Sequence, residues 1–436
     1  MIKFLKRNVI FLIILLSGSF LRLYNISYDN LWYDEILSFW IANPQYSISE
    51  SFEFHNKTEP NTFSFHFLLK VFYKFFDYNP DYLRYLSAFF GILSIFLSLK
   101  IAKLFNFNQM KNLIAFLIAF NIFLIAYSQE GRVYSILFFF CFLSIIYFIK
   151  IQMKGINKKK MFLFFTFTIT SIFLHPFALL ILFSYSLFLI LRYLILNTYD
   201  NNLNYLILSI FLCSLVFYYF SLTSLNHTHT RHFWISNPDI SFYTNFFFSN
   251  FFGSRLMGVI FLLFLIILGI KERKLIKKIN NITLLLIIIF LSYLLPIIFG
   301  YIFKPVLIPR YVIFILIPIL TIICFFCSRV SNKKIKYFLI SFLILITISN
   351  HFTEQTFKQF YNKRVVSKPE YIKAVSHINN SGYYHYFIKV EDMISDLDSI
   401  KAIDNYISTI NEKLPNKLIL INNSKIKKFE KPIWHF

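Results

Sequence analysis

MFLFFTFTITSIFLHPFALLILFSYSLFLILRYLIL, residues 161–196, carries one charged side chain, Arg192, and one His-Pro interruption. Read as a single kinked helix it crosses a membrane once. Read as 161–174 and 176–196 on either side of His175-Pro176, it crosses twice and inverts the sidedness of everything that follows. The flanking charges select the second reading, because basic residues accumulate on cytoplasmic loops. With two crossings here the whole chain has eleven apolar runs, near 8–23, 83–105, 111–128, 132–151, 161–174, 176–196, 203–222, 255–271, 282–303, 307–330 and 335–351. Lys3, Lys6 and Arg7 then place the N-terminus in the cytoplasm, and the cytoplasmic segments hold 21 basic residues against two acids, Asp200 and Glu272.

The composition agrees. Of 436 residues 57% are hydrophobic and 21% aromatic, and the mean hydropathy of +0.60 is outside the range of a soluble domain. Runs of this length suit a hydrocarbon core roughly 30 Å thick. The expected fold class is therefore all-α and polytopic, with about eleven transmembrane helices. The net charge of +23 is mostly a by-product of that topology, with attraction to anionic lipid as a second effect, and it implies no nucleic-acid partner. Cys141, Cys213, Cys324 and Cys327 all fall within apolar runs, so the Cys-x-x-Cys spacing at 324–327 reads as packing.

Three larger segments fall outside the membrane on the same side: a first outer loop at 24–82, a loop at 223–254, and the tail from about 351. Residues 1–350 form the expected membrane domain, and 351–436 an extracytoplasmic domain. The tail reads as a small α/β appendage, with a strand in the Lys417–Ile421 run and a helix start at Tyr371–Val375. Phe63–Phe76 (FSFHFLLKVFYKFF) reads as an interfacial amphipathic helix, with Lys70 and Lys74 turned to headgroups. Soluble mass on the outer side has no access to cytosolic nucleotides, and no nucleotide-binding glycine pattern occurs. An activated substrate would have to arrive in the membrane, carried on a lipid.

Few residues could do chemistry there. Asp34 and Glu35, in Leu31-Trp32-Tyr33-Asp34-Glu35, follow the first apolar run. Neighbours on a helix point about 100° apart, so one acid would face a substrate and the other anchor the loop. Glu130 and Arg132 share the short turn Tyr127–Tyr134, either as a structural ion pair or with Arg132 offering a bidentate fork to phosphate. His175 lies at another outer turn. Arg310, in Lys304–Tyr311, ends the tenth run on the outer side, where it would snorkel or neutralise a lipid phosphate. His227, His229 and His232 alternate in a loop without a visible acidic partner, and read as substrate contact or plain loop.

Together these pieces form an order. A Trp-x-Asp-Glu follows span one, then come an apolar interfacial helix, Arg84–Ala88 opening span two, Ser128-Gln129-Glu130-Gly131-Arg132-Val133-Tyr134, the histidine at the fifth outer turn, and Pro309-Arg310-Tyr311. The pattern resembles the family 39 glycosyltransferases of the GT-C superfamily, which include protein O-mannosyltransferase-like and aminoarabinose-transferase-like enzymes. The resemblance implies a GT-C-like fold in the bacterial cell membrane. It also implies inverting transfer of a sugar from a polyprenyl phosphate to a hydroxyl of a glycan, lipid or protein on the extracytoplasmic face. By that likeness Asp34 is the general base and Glu35 its support. Arg132 and Arg310 stabilise the departing phosphate, and Glu59, Glu130, Tyr134, His175 and Tyr311 complete the binding residues. No cofactor is implied with certainty, and a divalent metal is compatible with Asp34 and Glu35. Two departures are visible: Glu59-Pro60-Asn61-Thr62 replaces a double proline, and Gly131 stands where alanine is common, a conservative change.

Two other classes compete. A lipid-linked sugar flippase or transporter needs polar residues through the membrane interior, whereas the charges here gather at outer span ends. An O-antigen polymerase or ligase has its large loop late in the chain and leaves Asp34-Glu35 unexplained.

Overall fold

A computed structural model describes residues 8–27, 29–59, 62–197, 201–224, 251–253, 255–271, 279–353, 386–389, 397–410, 418–421 and 434–435. In chain order the helices are α1 (Val9–Leu23), α2 (Tyr33–Ile41), α3 (Ile48–Thr58), α4 (Ser64–Phe72), α5 (Pro80–Leu104), α6 (Lys111–Phe120), α7 (Ile122–Ser128), α8 (Tyr134–Lys154), α9 (Lys158–Leu174), α10 (Leu179–Leu196), α11 (Asn201–Ser224), α12 (Arg255–Lys271), α13 (Asn281–Ile302), α14 (Leu316–Arg329), α15 (Lys333–Thr353) and α16 (Leu397–Ile410). The residues group into two compact units. A membrane unit takes positions within 1–24, 87–129 and 133–364, and a loop-and-tail unit takes 25–86, 130–132 and 365–436. The second unit thus unites the first outer loop with the tail, a cut different from the expected boundary at 350.

All eleven apolar runs are helical, but they are not equally long. Among the described residues, seven helical segments are long and apolar enough to cross a membrane, and α6 with α7, bent by 54° between them, makes an eighth. The remaining three, α1, α9 and α12, have 15, 17 and 17 residues, short of the roughly 20 of a full crossing.

The break at 175 is real. His175 is extended (φ −157, ψ 131), and Pro176–Ala178 form a turn of 3-10 helix before α10. One continuous helix would separate positions 164 and 185 by about 32 Å; instead the Phe164 and Tyr185 rings lie 5.5 Å apart. The segment folds back on itself as two helices. Ser144 of α8 ties them together, bonding Thr168 Oγ1 at 2.7 Å and Tyr185 Oη at 2.9 Å, a way of satisfying hydroxyls among apolar neighbours.

Helix α6 ends where Asn121 turns extended (φ −65, ψ 121), freeing its last carbonyls. Arg22 of α1, 1% exposed, donates to Ala119 O at 2.7 Å and Ile118 O at 3.0 Å, and to Gly18 O at 2.9 Å. His351 Nε2 takes Phe120 O at 2.6 Å, and Asn121 Oδ1 caps α7 by accepting from Leu124 N. The close approach of α1 needs Gly18, where a Cβ would lie 2.8 Å from that of Ala119. Segment Pro309–Arg329 is the most buried span and holds Cys324 and Cys327, both free and buried.

In the loop-and-tail unit, the Phe63–Phe76 segment that contains α4 turns one of its two lysines inward, which corrects the expected placement of Lys70, while Lys74 is exposed as expected. Its Lys70 is 2% exposed and donates to Asn43 O at 2.6 Å, so it serves the loop's own backbone and does not face headgroups. Among its described residues the tail has three parallel strands in the order β2-β1-β3, with β1 at Tyr386–Lys389, β2 at Leu418–Ile421 and β3 at Trp434–His435. The expected strand at 417–421 is β2. The expected helix start at Tyr371–Val375 and the loop histidines 227, 229 and 232 lie outside the described residues.

Candidate active site

Asp34 and Glu35 sit in the first turn of α2, where the positive end of the helix dipole favours anions. Their environments diverge as the 100° step requires. The Asp34 side chain is 24% exposed and that of Glu35 is 0% exposed. Glu35 accepts from Arg84 Nε at 2.9 Å and Nη2 at 2.8 Å, from Gly131 N at 2.6 Å and from Trp32 N at 3.3 Å. The other Arg84 hydrogens go to Ile26 O, Asp29 O and Asn30 O. Five donors meet five acceptors, and the segment leading into α2 is fixed. Glu35, expected among the catalytic residues, is an anchor whose oxygens are fully engaged. Among the described residues no group of three or more His, Cys, Asp or Glu is placed to hold an ion.

Arg132 is 4% exposed and already committed. Its Nη1 donates to Glu59 Oε1 at 2.8 Å, Ser38 Oγ at 2.7 Å and Asp34 O at 2.8 Å; its Nη2 lies 3.3 Å from Glu59 Oε2 and 3.9 Å from Asp34 Oδ2. The expected pairing with Glu130 is replaced by one with Glu59, while Glu130, half-buried, offers its carbonyl to Arg132 N at 2.8 Å. The expected phosphate role of Arg132 gives way to holding two carboxylates. Gly131 is not a conservative stand-in for alanine, since a Cβ there would run into the Leu83 side chain and push the Gly131 amide off Glu35.

Two histidines complete this centre, and neither was singled out from sequence. His66 Nε2 lies 3.3 Å from Ser38 Oγ. The single Ser38 hydrogen goes to Asp34 O at 2.9 Å, so His66 must donate. The rings of His55 and His66 are 5.0 Å apart. Burial, helped by His55 and Arg132 against Glu59, holds His66 well below its ordinary value, so it is neutral at pH 7. Burial alone would raise the Glu59 carboxyl, but Arg132 outweighs it and, with His66 and His55, holds it below the usual carboxylate range.

Both shifts are depressions, so stability belongs to the deprotonated forms. Above about pH 6.5 neither group distinguishes folded from unfolded chains. Below it the unfolded chain takes up a proton first, at histidine and then, below about pH 4.3, at glutamate. The thermal unfolding midpoint in detergent is expected to be level between pH 8 and 7 and to fall on acidification. His66→Gln, which keeps a donor near Ser38, should remove the upper part of that fall; a midpoint that rises toward pH 5.5 would contradict the assignment.

The membrane unit gathers four further candidates that lie far apart in sequence. The Tyr134 and Tyr311 rings stack with centroids 6.2 Å apart, and His175 is 4.7 Å from Tyr311 and 6.1 Å from Tyr134. The Arg310 guanidinium lies 5.5 Å from the Tyr134 ring and 5.9 Å from that of Tyr311, within reach of a cation–π attraction. His175 accepts from Phe177 N at Nδ1, so a neutral ring carries its hydrogen on Nε2. A 3-10 turn, Pro309–Ile315, sets Arg310 and Tyr311.

No family model and no curated protein sequence matches the chain. Among solved structures, the crystal structure of ArnT from Cupriavidus metallidurans in the apo state is similar at a TM-score of 0.62, over 94% of this chain and 85% of that one, with 11% identity. The chain shares the fold of that structure. An oligosaccharyltransferase of Archaeoglobus fulgidus, in complex with Zn and sulfate, aligns at a TM-score of 0.48, over 94% of this chain and 67% of that one, with 13% identity. The fold shared with ArnT agrees with the all-α polytopic class expected from the apolar runs.

Proposed function

We propose that this protein is an integral-membrane glycosyltransferase that moves a sugar from a polyprenyl phosphate to an acceptor hydroxyl, with inversion. The observation that carries the reading is the divergence of Asp34 and Glu35: one carboxylate keeps exposure at a helix N-terminus, and its neighbour is fully buried and anchored. In the step proposed, the acceptor oxygen attacks the anomeric carbon as its proton passes to the Asp34 carboxylate. The bond from that carbon to the phosphate oxygen breaks, and the lipid phosphate leaves with the electron pair. Arg132, tied to Glu59, orients the segment around Asp34. Of the two arginines proposed for the phosphate, Arg132 is engaged by Glu59, Ser38 and the Asp34 carbonyl, and we assign the developing charge to Arg310, whose guanidinium lies beside the Tyr134 and Tyr311 rings.

The excess of basic residues on alternate loops supports a cytoplasmic N-terminus and an extracytoplasmic tail in the cell membrane. The acceptor is a hydroxyl of a glycan, lipid or protein. Purified protein incubated with polyprenyl-phosphate sugars should release free lipid phosphate as the acceptor is glycosylated. Movement of the lipid-linked sugar across vesicles without its consumption would favour a flippase and sink this reading.

A further inference from the structure

The catalytic proposal rests on α2, and the tail reaches that helix at both ends. At its start, the Tyr406 hydroxyl of α16 accepts from Leu31 N at 3.0 Å. Leu31 precedes the first turn, so its amide has no place in the helical ladder and depends on an outside acceptor. Tyr406 is 2% exposed, and burial pushes its hydroxyl up to about 12, leaving it neutral. At the far end of α2, the adjacent residue Asn405 lies 3.4 Å from the Asn43 side chain and donates to Tyr78 Oη at 2.9 Å. Tyr78 passes the tie on, donating to Phe39 O at 2.9 Å with its ring stacked on Phe39 at 4.0 Å. Arg84 and Glu35 secure another side of α2, and Asn405 and Tyr406 bracket its length with hydrogen bonds.

We infer that Asn405 and Tyr406 are positioning residues, which clamp α2 from the tail so that the Asp34 carboxylate is held where an acceptor hydroxyl meets it. The inference rests on the reading of Asp34 as base. It gives the tail a part in the reaction itself, apart from any acceptor it recognises. A clamp of this kind acts on the rate of the chemical step and little on donor affinity, because misplacing a reacting group by an ångström costs turnover steeply.

The test uses the full-length protein in detergent with a polyprenyl-phosphate sugar, comparing wild type, Tyr406→Phe, Asn405→Ala and Asp34→Asn. Tyr406→Phe is expected to lower kcat by about tenfold or more, with KM for the lipid donor within about twofold of wild type and the pH profile unshifted. Amide hydrogen exchange at Leu31 should quicken in the same variant, and Asn405→Ala should lower kcat while the Leu31 amide stays protected. An unchanged kcat in both tail variants, or a loss that only follows the fraction of folded protein, overturns the clamp. If Asp34→Asn keeps full turnover, the base reading fails and takes the catalytic half of the inference with it. Leu31 exchange then decides the structural half, faster exchange in Tyr406→Phe supporting it and unchanged exchange refuting it.

Discussion

Asp34→Asn is expected to reduce kcat by about two to four orders of magnitude, the range a positioned general base supplies, while the protein keeps its fold. The amide is nearly isosteric but cannot take the acceptor's proton. Little stability is at stake. The Asp34 carboxylate is partly exposed and its approach to Arg132 is 3.9 Å, a geometry worth about 1 kcal/mol or less. Release of lipid phosphate by matched amounts of folded wild-type and variant protein, with unfolding midpoints recorded alongside, measures both quantities. Full turnover in the variant would end the general-base assignment.

The neighbouring residue should behave in the opposite way. Glu35→Ala leaves Arg84 buried with its bidentate partner gone and strands the Gly131 amide. Removing one member of a buried ion pair typically costs about 3–5 kcal/mol, a large share of the total for any domain. The expected result is a marked drop in yield and in the midpoint of thermal aggregation, with remaining activity following the folded fraction. Arg84→Ala should match it, and the double variant should cost less than the sum, since the two share one interaction. Equal midpoints for Glu35→Ala and wild type would show that the pair does not hold the loop. Asp34 and Glu35 thus make an internal control, with rate tracking one acid and stability the other.

How far the sequence carries this follows from the range of each interaction. Hydropathy is local, so every apolar run emerged as a helix, and the break at His175 could be found from one proline and the loop charges. The separate fates of Asp34 and Glu35 follow from helical geometry alone. Partners brought together by the fold were out of reach: Arg84 finds Glu35 across 49 positions, Arg132 finds Glu59 across 73, and Tyr406 finds Leu31 across 375. In its own turn Arg132 has only Glu130 to set against a phosphate, and the Glu59 carboxylate that takes it lies 73 positions earlier. Lys70 was placed outward because a lysine in an apolar helix usually seeks water; the carbonyl of Asn43 that holds it inside sits 27 residues earlier. His55 and His66 gave one faint signal, two histidines in a loop already suspected of chemistry, and nothing indicated that they were buried together. The breaks inside apolar runs lie out of reach for a different reason. Hydropathy marks where a chain can dissolve in lipid, whereas a turn such as Asn121 or Pro309–Ile315 is set by backbone geometry.

The bonds from Arg22 to the carbonyls of Ile118 and Ala119 bear on how the protein comes to be in the membrane at all. A cation in an apolar helix is costly in lipid, and so are open carbonyls at the end of a broken one. Each segment relieves the other, yet nearly a hundred residues separate them on the chain. Neither is at home in the bilayer alone. The first helix can therefore settle only after the ribosome has passed residue 128, which makes the pairing of α1 with the bent α6–α7 segment an early checkpoint of biogenesis.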